Sequence, residues 1–248
     1  MNRGSRDASA ARGPKANYHP AILLIVMARD WSERKRRDPY WRAAKSDGFR
    51  SRAAYKLLQL NEKFKVIRRG ATVVDLGASP GGWSQVARQL AGREGRVVAL
   101  DVAMMPPIPG VEFLRGDVTT EETFERITSL LPTGVDVVIS DMAPNISGNY
   151  SYDHARSAHL VAISARLAAR LLKPGGCLLA KLFSGDLMDE LRHKLAPQYE
   201  RVRVTKPAAS RSQSAEVYLL ATGFRGVHDR PADSPAPIAP AGEAGGAR

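Results

Sequence analysis

The sequence predicts an α/β protein built around a doubly wound β-sheet whose strands are mostly parallel. Seven short runs rich in valine, isoleucine and leucine alternate with segments that carry the apolar spacing of helices. Most of these runs are apolar along nearly their whole length, which is typical of parallel strands covered by helices on both faces. Hydrophobic residues make up 44% of the 248 residues, enough to give one compact domain a core.

The predicted elements lie between residues 71 and 223. The strands are 71–79, 95–101, 111–117, 135–144, 175–183, 201–207 and 216–223. The helices between them are 82–90, 121–131, 154–172 and 187–195. The connection "AASRSQSA" before the last strand is too short for a crossover helix, so we expect that strand to run antiparallel to its predecessor.

The two ends of the chain differ from this core. Residues 1–29 form an N-terminal extension with a polar start, and residues 225–248 are rich in proline, alanine and glycine. We predict that both are disordered and that the folded domain covers 30–224. The apolar run 21–28 is much shorter than the roughly 18 residues of a membrane span. The charged and bulky residues that follow it do not fit a signal-peptide cleavage site.

Cysteine and histidine usage gives no sign of disulfides or metal. Cys177 is the only cysteine, which excludes an internal disulfide and favours a cytoplasmic protein. The five histidines show no ligand spacing, so we expect no metal site.

The positive charge is concentrated near the N-terminus. The chain carries +12, and residues 1–56, with 14 basic and five acidic residues, account for +9 of it. Within the segment 30–56 the cations alternate with five aromatic residues: Trp31, Tyr40, Trp41, Phe49 and Tyr55. Cations can neutralise phosphates while aromatic rings stack on bases, so we predict that this segment binds RNA. The alternative is a solvated basic helix whose aromatic residues pack on the domain.

The stretch "VVDLGASPGGWSQVA" is a strand, a glycine-rich turn and the start of a helix. Glycines let a backbone approach a ligand closely, and a helix N-terminus supplies free N–H groups. The spacing from Gly77 is not the G-x-G-x-x-G of dinucleotide sites, which favours a nucleoside over a pyrophosphate. It counts against a nicotinamide-dependent dehydrogenase on the same kind of sheet.

Three later strands end in aspartates, at Asp101, Asp117 and Asp141. Ligands of such sheets bind beyond the carboxyl ends of the strands. A single aspartate there often only caps the next helix. The ordered combination with the glycine-rich turn favours S-adenosylmethionine, with Asp101 on the ribose hydroxyls and Asp117 near the adenine amine.

Five motifs give the chain a resemblance to the FtsJ/RrmJ (RlmE) family of heat-shock ribosomal-RNA 2′-O-ribose methyltransferases. They are "GFRSRAAYKL", "VVDLGASPGGWSQ", "SDMAPNISG", "LLAKLF" and "SRSQSAEVYLLATG". The resemblance runs from about residue 30 to 223. It implies a Rossmann-like S-adenosylmethionine-dependent methyltransferase fold, with a seven-stranded, mostly parallel sheet and an antiparallel last strand.

The resemblance also implies site residues. The catalytic set falls on Lys56, Asp141, Lys181 and Glu216. The cofactor residues it implies are Gly81, Gly82, Trp83, Asp101, Asp117 and Asp141. Lys181 is favoured as the proton acceptor for the 2′-hydroxyl, and the alternative is that it stays charged and orients that hydroxyl.

The implied substrate is a uridine in large-subunit (23S) ribosomal RNA, within the large subunit, and the implied role is to aid ribosome assembly. The protein is expected to be a monomer. Methylation of tRNA and a catalytically silent RNA-binding protein are the alternatives. Residues 1–26 have no counterpart in the family, and we hypothesise that translation starts at Met27, which an intact mass beginning at Met1 would exclude.

Overall fold

Seven strands form one β-sheet in the computed structural model of the protein, which describes residues 38–226. The strands are β1 (Thr72–Leu76), β2 (Arg96–Asp101), β3 (Val111–Arg115), β4 (Val135–Ser140), β5 (Leu172–Phe183), β6 (Tyr199–Thr205) and β7 (Glu216–Phe224). The helices are α1 (Pro39–Ser46), α2 (Ala54–Phe64), α3 (Gly82–Ala91), α4 (Glu121–Leu130), α5 (Tyr150–Leu171) and α6 (Leu187–Leu195).

The strand order is β3-β2-β1-β4-β5-β7-β6. The first five strands pair in parallel, and β7 is antiparallel to both β5 and β6. The predicted α/β class and the antiparallel last strand are confirmed. The sequence did not predict that β7 is inserted between β5 and β6. Burial explains the order, because residues 218–221 of β7 are buried whereas β6 exposes Arg201 and Arg203, as an edge strand can.

The core lies in two apolar layers, one on each face of the sheet. Residues of α2 and α3 pack on one face, against strand residues such as Val73 and Val97. Residues of α4, α5 and α6 pack on the other, against their strand neighbours Val74 and Val98. The alternation along each strand explains why these runs are apolar throughout.

The register brings four strand ends to one edge of the sheet, here called the carboxyl edge. Leu76 at the end of β1 lies beside Leu100 of β2 and Ser140 of β4, and Ser140 lies beside Ala180 of β5. The antiparallel β7 begins at the same edge, where Glu216 pairs with Phe183.

Several predictions fall outside the described residues. These are the disorder of 1–29, the start at Met27 and, apart from Arg225 and Gly226, the tail 225–248. The first eight residues of the basic segment, 30–37, also lie outside. Between residues 38 and 226, no helix is long and apolar enough to cross a membrane.

Candidate active site

The four predicted catalytic residues meet at the carboxyl edge as two ion pairs. Lys56 Nζ lies 2.7 Å from Glu216 Oε1 and 2.8 Å from Oε2. Lys181 Nζ lies 3.1 Å from Asp141 Oδ1 and also donates to the Asp141 carbonyl oxygen. The four side chains are only 8–17% exposed. Because little water screens them, these charges interact more strongly than a surface pair would.

Tyr218 joins the two pairs. Its hydroxyl lies 2.8 Å from Asp141 Oδ1 and 3.4 Å from Glu216 Oε1, so its one proton is donated mainly to Asp141. Burial, reinforced by these two carboxylates, raises the pKa of Tyr218 well above that of a free tyrosine. The hydroxyl is therefore a neutral donor at physiological pH. The sequence analysis missed Tyr218, although it lies two residues after Glu216 and so on the same side of the strand.

Glu216 remains a charged acceptor. Burial alone would raise its pKa, but the charge of Lys56 and hydrogen bonds from Lys56 and Ser210 outweigh burial and hold the pKa below its usual value. The Ser210 hydroxyl donates to Glu216 Oε1 over 2.7 Å. Glu216 can therefore hold the Lys56 ammonium in place.

Trp83 supports this cluster from inside the core. Its ring stacks on Tyr218 with centroids 5.6 Å apart, and its indole N–H donates to the Ala53 carbonyl oxygen over 2.8 Å. Ala53 precedes α2, the helix that carries Lys56. Trp83 thereby fixes Tyr218 relative to Lys56.

A cleft of about 490 Å³ lies beside the ion pairs, along the ends of β1, β2 and β4. Its lining includes three of the predicted cofactor residues, Asp101, Asp117 and Asp141. Asp101 accepts hydrogen bonds from the amides of Ser79 and Ala103. The amide and hydroxyl of Thr119 donate to Asp117 and hold its pKa below the usual range. Both carboxylates line the cleft, where they can accept hydrogen bonds from a ligand that carries hydroxyl or amino groups.

The other three predicted cofactor residues do not line this cleft. Trp83 is in the core, as described above. A Cβ at Gly81 would lie 2.7 Å from Ile108 Cδ1 and 3.0 Å from Arg50 Nη1, and one at Gly82 would lie 2.2 Å from Ser51 Oγ. Gly81 therefore makes room for Ile108 and Arg50, and Gly82 makes room for Ser51. A role for these three residues in cofactor binding stays a prediction.

Gly77 is the glycine of the turn that faces the cleft. It has a φ of +71°, and a Cβ there would lie 2.3 Å from Met142 Cγ. Two residues earlier, Asp75 is fully buried, and burial raises its pKa to about 7. One of its carboxyl oxygens accepts from the Ser84 hydroxyl over 2.6 Å. The other has no hydrogen-bond partner among residues 38–226.

The described part of the basic segment is largely engaged with the protein itself. Of its five cations, Lys56 pairs with Glu216, and Arg52 pairs with Asp38 over 2.9 Å. Arg50 donates to the carbonyl oxygens of Pro106 and Pro107. The rings of Tyr40 and Phe49 each pack on Tyr55, with centroids 5.5 and 5.7 Å away. Two cations of this part remain exposed, Arg42 and Lys45.

A larger cleft, of about 650 Å³, opens at the end of the sheet opposite the carboxyl edge, beside Arg68, Arg69 and Gly175. It contains none of the predicted site residues. Within residues 38–226, no group of three or more histidines, cysteines or acidic residues is arranged to hold a metal ion.

Comparison with known proteins identifies the family. The FtsJ-like methyltransferase family model matches residues 49–224. Ribosomal RNA large subunit methyltransferase E of Marinobacter nauticus is 49% identical over 196 residues, which cover 79% of this chain and 95% of that protein. The Methanothrix thermoacetophila protein of the same name is 48% identical over 194 residues, which cover 78% of this chain and 73% of that protein.

A solved structure agrees with these sequences. The crystal structure of a Plasmodium falciparum protein, provisionally named a ribosomal RNA methyltransferase, has a TM-score of 0.66 and 27% sequence identity. The match covers 72% of this chain and all of that one. The resemblance found in the sequence motifs is thus confirmed by comparisons that cover most of the chain. The chain belongs to the FtsJ-like methyltransferase family.

Proposed function

We propose that the protein transfers a methyl group from S-adenosylmethionine to the 2′-hydroxyl of a uridine ribose in 23S ribosomal RNA, in the course of ribosome assembly. The observation that carries this proposal is the position of the two joined ion pairs at the end of an acidic cleft. Asp141 belongs to one of these ion pairs and also lines the cleft. A methyl donor in the cleft and a ribose at the lysines would therefore meet at Asp141.

The residues of the cleft fit S-adenosylmethionine. Asp101 can accept both ribose hydroxyls, Asp117 can accept the adenine amine, and Asp141 can complement a positive sulfur. The turn at Gly77 offers a backbone surface without a side chain. The unpartnered, buried oxygen of Asp75 gives the site a further polar group behind that turn. When bound, the cofactor supplies an electrophilic methyl group on a sulfonium.

The protein itself positions the 2′-hydroxyl and accepts the proton that this hydroxyl loses. In-line positioning alone can lower the barrier by several kcal/mol. Lys181 Nζ donates to two acceptors, the carbonyl and a carboxylate oxygen of Asp141, which hold it at the end of the cleft. We propose that Lys181 in its uncharged form accepts the proton of the 2′-hydroxyl. Lys56, held by Glu216, can contact the same ribose. The Tyr218 hydroxyl, which contacts both carboxylates, holds Asp141 and Glu216 in fixed positions relative to each other.

Substitution by arginine separates the two roles of Lys181. Arginine stays protonated, so Lys181→Arg can orient a hydroxyl but cannot accept its proton. If Lys181 is the proton acceptor, as we propose, this variant loses activity as completely as Lys181→Ala. Partial activity of Lys181→Arg would instead assign the charged, orienting role.

Large-subunit RNA is favoured over tRNA by the names of the relatives, which specify the ribosomal large subunit. The test offers purified protein and labelled S-adenosylmethionine to large subunits, free 23S RNA and total tRNA, all from a strain lacking its own enzyme. We expect label in the large-subunit RNA only. Label confined to tRNA would overturn the substrate, and absence of label with bound RNA would identify a silent RNA-binding protein.

We further propose that the domain spans residues 30–224 and that segment 30–56 contacts the RNA, with the protein acting as a cytoplasmic monomer. The exposed Arg42 and Lys45 support this, as does the charge of the preceding residues. Replacing Arg34, Lys35, Arg36 and Arg37 together by glutamine should weaken RNA binding and lower its salt dependence. Affinity for S-adenosylmethionine should not change, and its loss would contradict this division of labour.

A further inference from the structure

A second, smaller cleft begins where the ion pairs end. It measures about 270 Å³, and we refer to it as the side cleft. Its lining consists of Ile146, Gly148, Tyr150, Asp153, Phe183, Ser214 and Ala215. Phe183 lies two residues after Lys181 and pairs with Glu216, and Ala215 directly precedes Glu216. The side cleft therefore adjoins both ion pairs on the side away from Asp101 and Asp117.

Two large side chains of the side cleft are open to water. Ile146 is 67% exposed and Tyr150 is 60% exposed. Large apolar surface left exposed beside a reaction centre is typical of a ligand site.

Tyr150 is held firmly despite its exposure. Its hydroxyl donates to the Ser184 carbonyl oxygen, and its ring lies nearly parallel to that of His154, at 12° and 6.4 Å between centroids. The Leu187 amide donates to His154 Nε2, so the ring proton is on Nδ1 and is donated to the Phe183 carbonyl oxygen. A buried, neutral histidine thus backs one face of an exposed tyrosine.

The segment that carries Ile146 is held in a similar way. The Asp153 carboxylate accepts from the Ser147 amide over 2.9 Å, from the Ser147 hydroxyl over 2.8 Å and from the Gly148 amide over 3.2 Å. Hydrogen bonding from Ser147 keeps the pKa of Asp153 below its usual range. A surface that is already ordered loses less entropy when it binds a ligand.

Cations lie around this apolar surface. Lys206 donates to the Ser214 carbonyl oxygen over 2.7 Å at one rim. At the other rim Arg156 donates to the carbonyl oxygen of Asn145 over 3.4 Å, next to Ile146. An aromatic floor with a basic rim matches a nucleobase whose flanking phosphates lie outside the cleft.

We propose that the side cleft binds the base of the nucleotide that is methylated, with the ring of Tyr150 as its stacking face and Ile146 and Phe183 at its edges. This rests on the proposed function. The base and the reacting hydroxyl are attached to neighbouring carbons of one ribose, C1′ and C2′, so a hydroxyl at Lys181 places its base within reach of an adjoining cleft.

The test compares three variants in steady-state methyl transfer to large-subunit RNA. Tyr150→Ala removes the stacking face and should raise the KM for RNA roughly tenfold, with the KM for S-adenosylmethionine unchanged. Tyr150→Phe keeps the ring and should stay close to wild type. Met104→Ala is the control, because Met104 is also a large exposed side chain, 66% exposed, and does not line the side cleft; its KM for RNA should match the wild type.

Three other outcomes would overturn the proposal that the side cleft binds the base. An unchanged KM for RNA in Tyr150→Ala, while the wild type methylates RNA, would reject the side cleft and leave the proposed function intact. Equal losses in Tyr150→Phe and Tyr150→Ala would mean that the bond to Ser184 matters and stacking does not. A wild-type protein that methylates no RNA would overturn both the proposed function and the base site.

Discussion

Two lysine–aspartate pairs link β4 to β5. One lies at the carboxyl edge of the sheet, and the other lies at the opposite end of the same two strands. Lys181 and Asp141 are 3.1 Å apart at the carboxyl edge, with side chains 8% and 17% exposed. Lys173 and Asp136 are 3.3 Å apart at the other edge, with side chains 36% and 40% exposed. The two pairs have the same residue types and nearly the same length, so what separates them is access of water.

Burial and neighbours give the pair at the carboxyl edge its chemical capacity. An exposed ion pair contributes about 0–1 kcal/mol to stability, because water screens it. Asp136 is otherwise bound to the Thr72 amide, a structural contact within the sheet. Asp141 instead shares the Tyr218 hydroxyl with a second buried pair and lines the cleft. A lysine–aspartate pair is therefore a site only where the fold removes water and adds a substrate surface.

The largest contrast is expected between two lysine-to-alanine variants on β5. Lys181→Ala should lower kcat for methyl transfer by on the order of 10²–10⁴, the range for loss of a group that handles a proton. Lys173→Ala should keep near-normal activity. Rates with labelled S-adenosylmethionine check both, and comparable rates for the two variants would erase the distinction between the edges.

Removing the hydroxyl that joins the two buried pairs should have the next largest effect. Tyr218→Phe keeps the stack on Trp83 but withdraws a donor from Asp141, and we expect kcat to fall about fivefold, since one hydrogen bond contributes about 1 kcal/mol. The control is Tyr199→Phe, because Tyr199 is as buried but its hydroxyl has no partner in the described part of the chain. If both variants behave alike, Tyr218 does not couple the pairs.

The Lys56–Glu216 pair should make stability depend on pH. The pKa of Glu216 is lowered in the folded protein, so the carboxylate stabilises the fold above its unfolded pKa of about 4.3. That stabilisation is lost as pH falls through the folded value. Glu216→Gln should cost about 2 kcal/mol at pH 7, and the gap from wild type should shrink below about pH 4. Urea unfolding at both pH values measures it, and a gap independent of pH would contradict the ionic origin.

The smallest effect is expected at the exposed pair. Lys173→Ala should change the free energy of unfolding by less than about 1 kcal/mol, and added salt should reduce the difference further. Urea unfolding at low and high salt gives the values. A loss as large as that of Glu216→Gln would show that exposure does not separate the two edges.

The sequence was informative wherever function depends on the ends of consecutive parallel strands. Asp101, Asp117 and Asp141 each follow or end an apolar run, and such ends meet at one edge whatever the details of packing. Lys56, Lys181 and Glu216 could be placed only by resemblance, because the first is on a helix, the second lies inside an apolar run and the third starts an antiparallel strand. Their 2.7 Å contact depends on how α2 packs on the sheet, which no local pattern records.

Residues whose role depends on neighbours distant in sequence could not be assigned. The close approach of Ser51 to Gly82 is an example, because nothing in the glycine-rich turn itself indicates which part of the chain packs on it. The position of β7 between β5 and β6 is another example, because it depends on which of β6 and β7 is buried in the folded sheet. The start of α5 was missed by four residues, although Asn149, whose side chain accepts from the Tyr152 amide, is a typical N-cap.

The most direct test of the central claim is to identify the methylated nucleoside. Large subunits labelled by the protein with S-adenosylmethionine are digested to nucleosides and separated, beside an identical reaction with Lys181→Ala. We predict that the label elutes with 2′-O-methyluridine from 23S RNA in the wild-type reaction and is absent from the variant reaction. Label in a base-methylated nucleoside, or undiminished label with Lys181→Ala, would contradict the assignment of ribose methylation to this site.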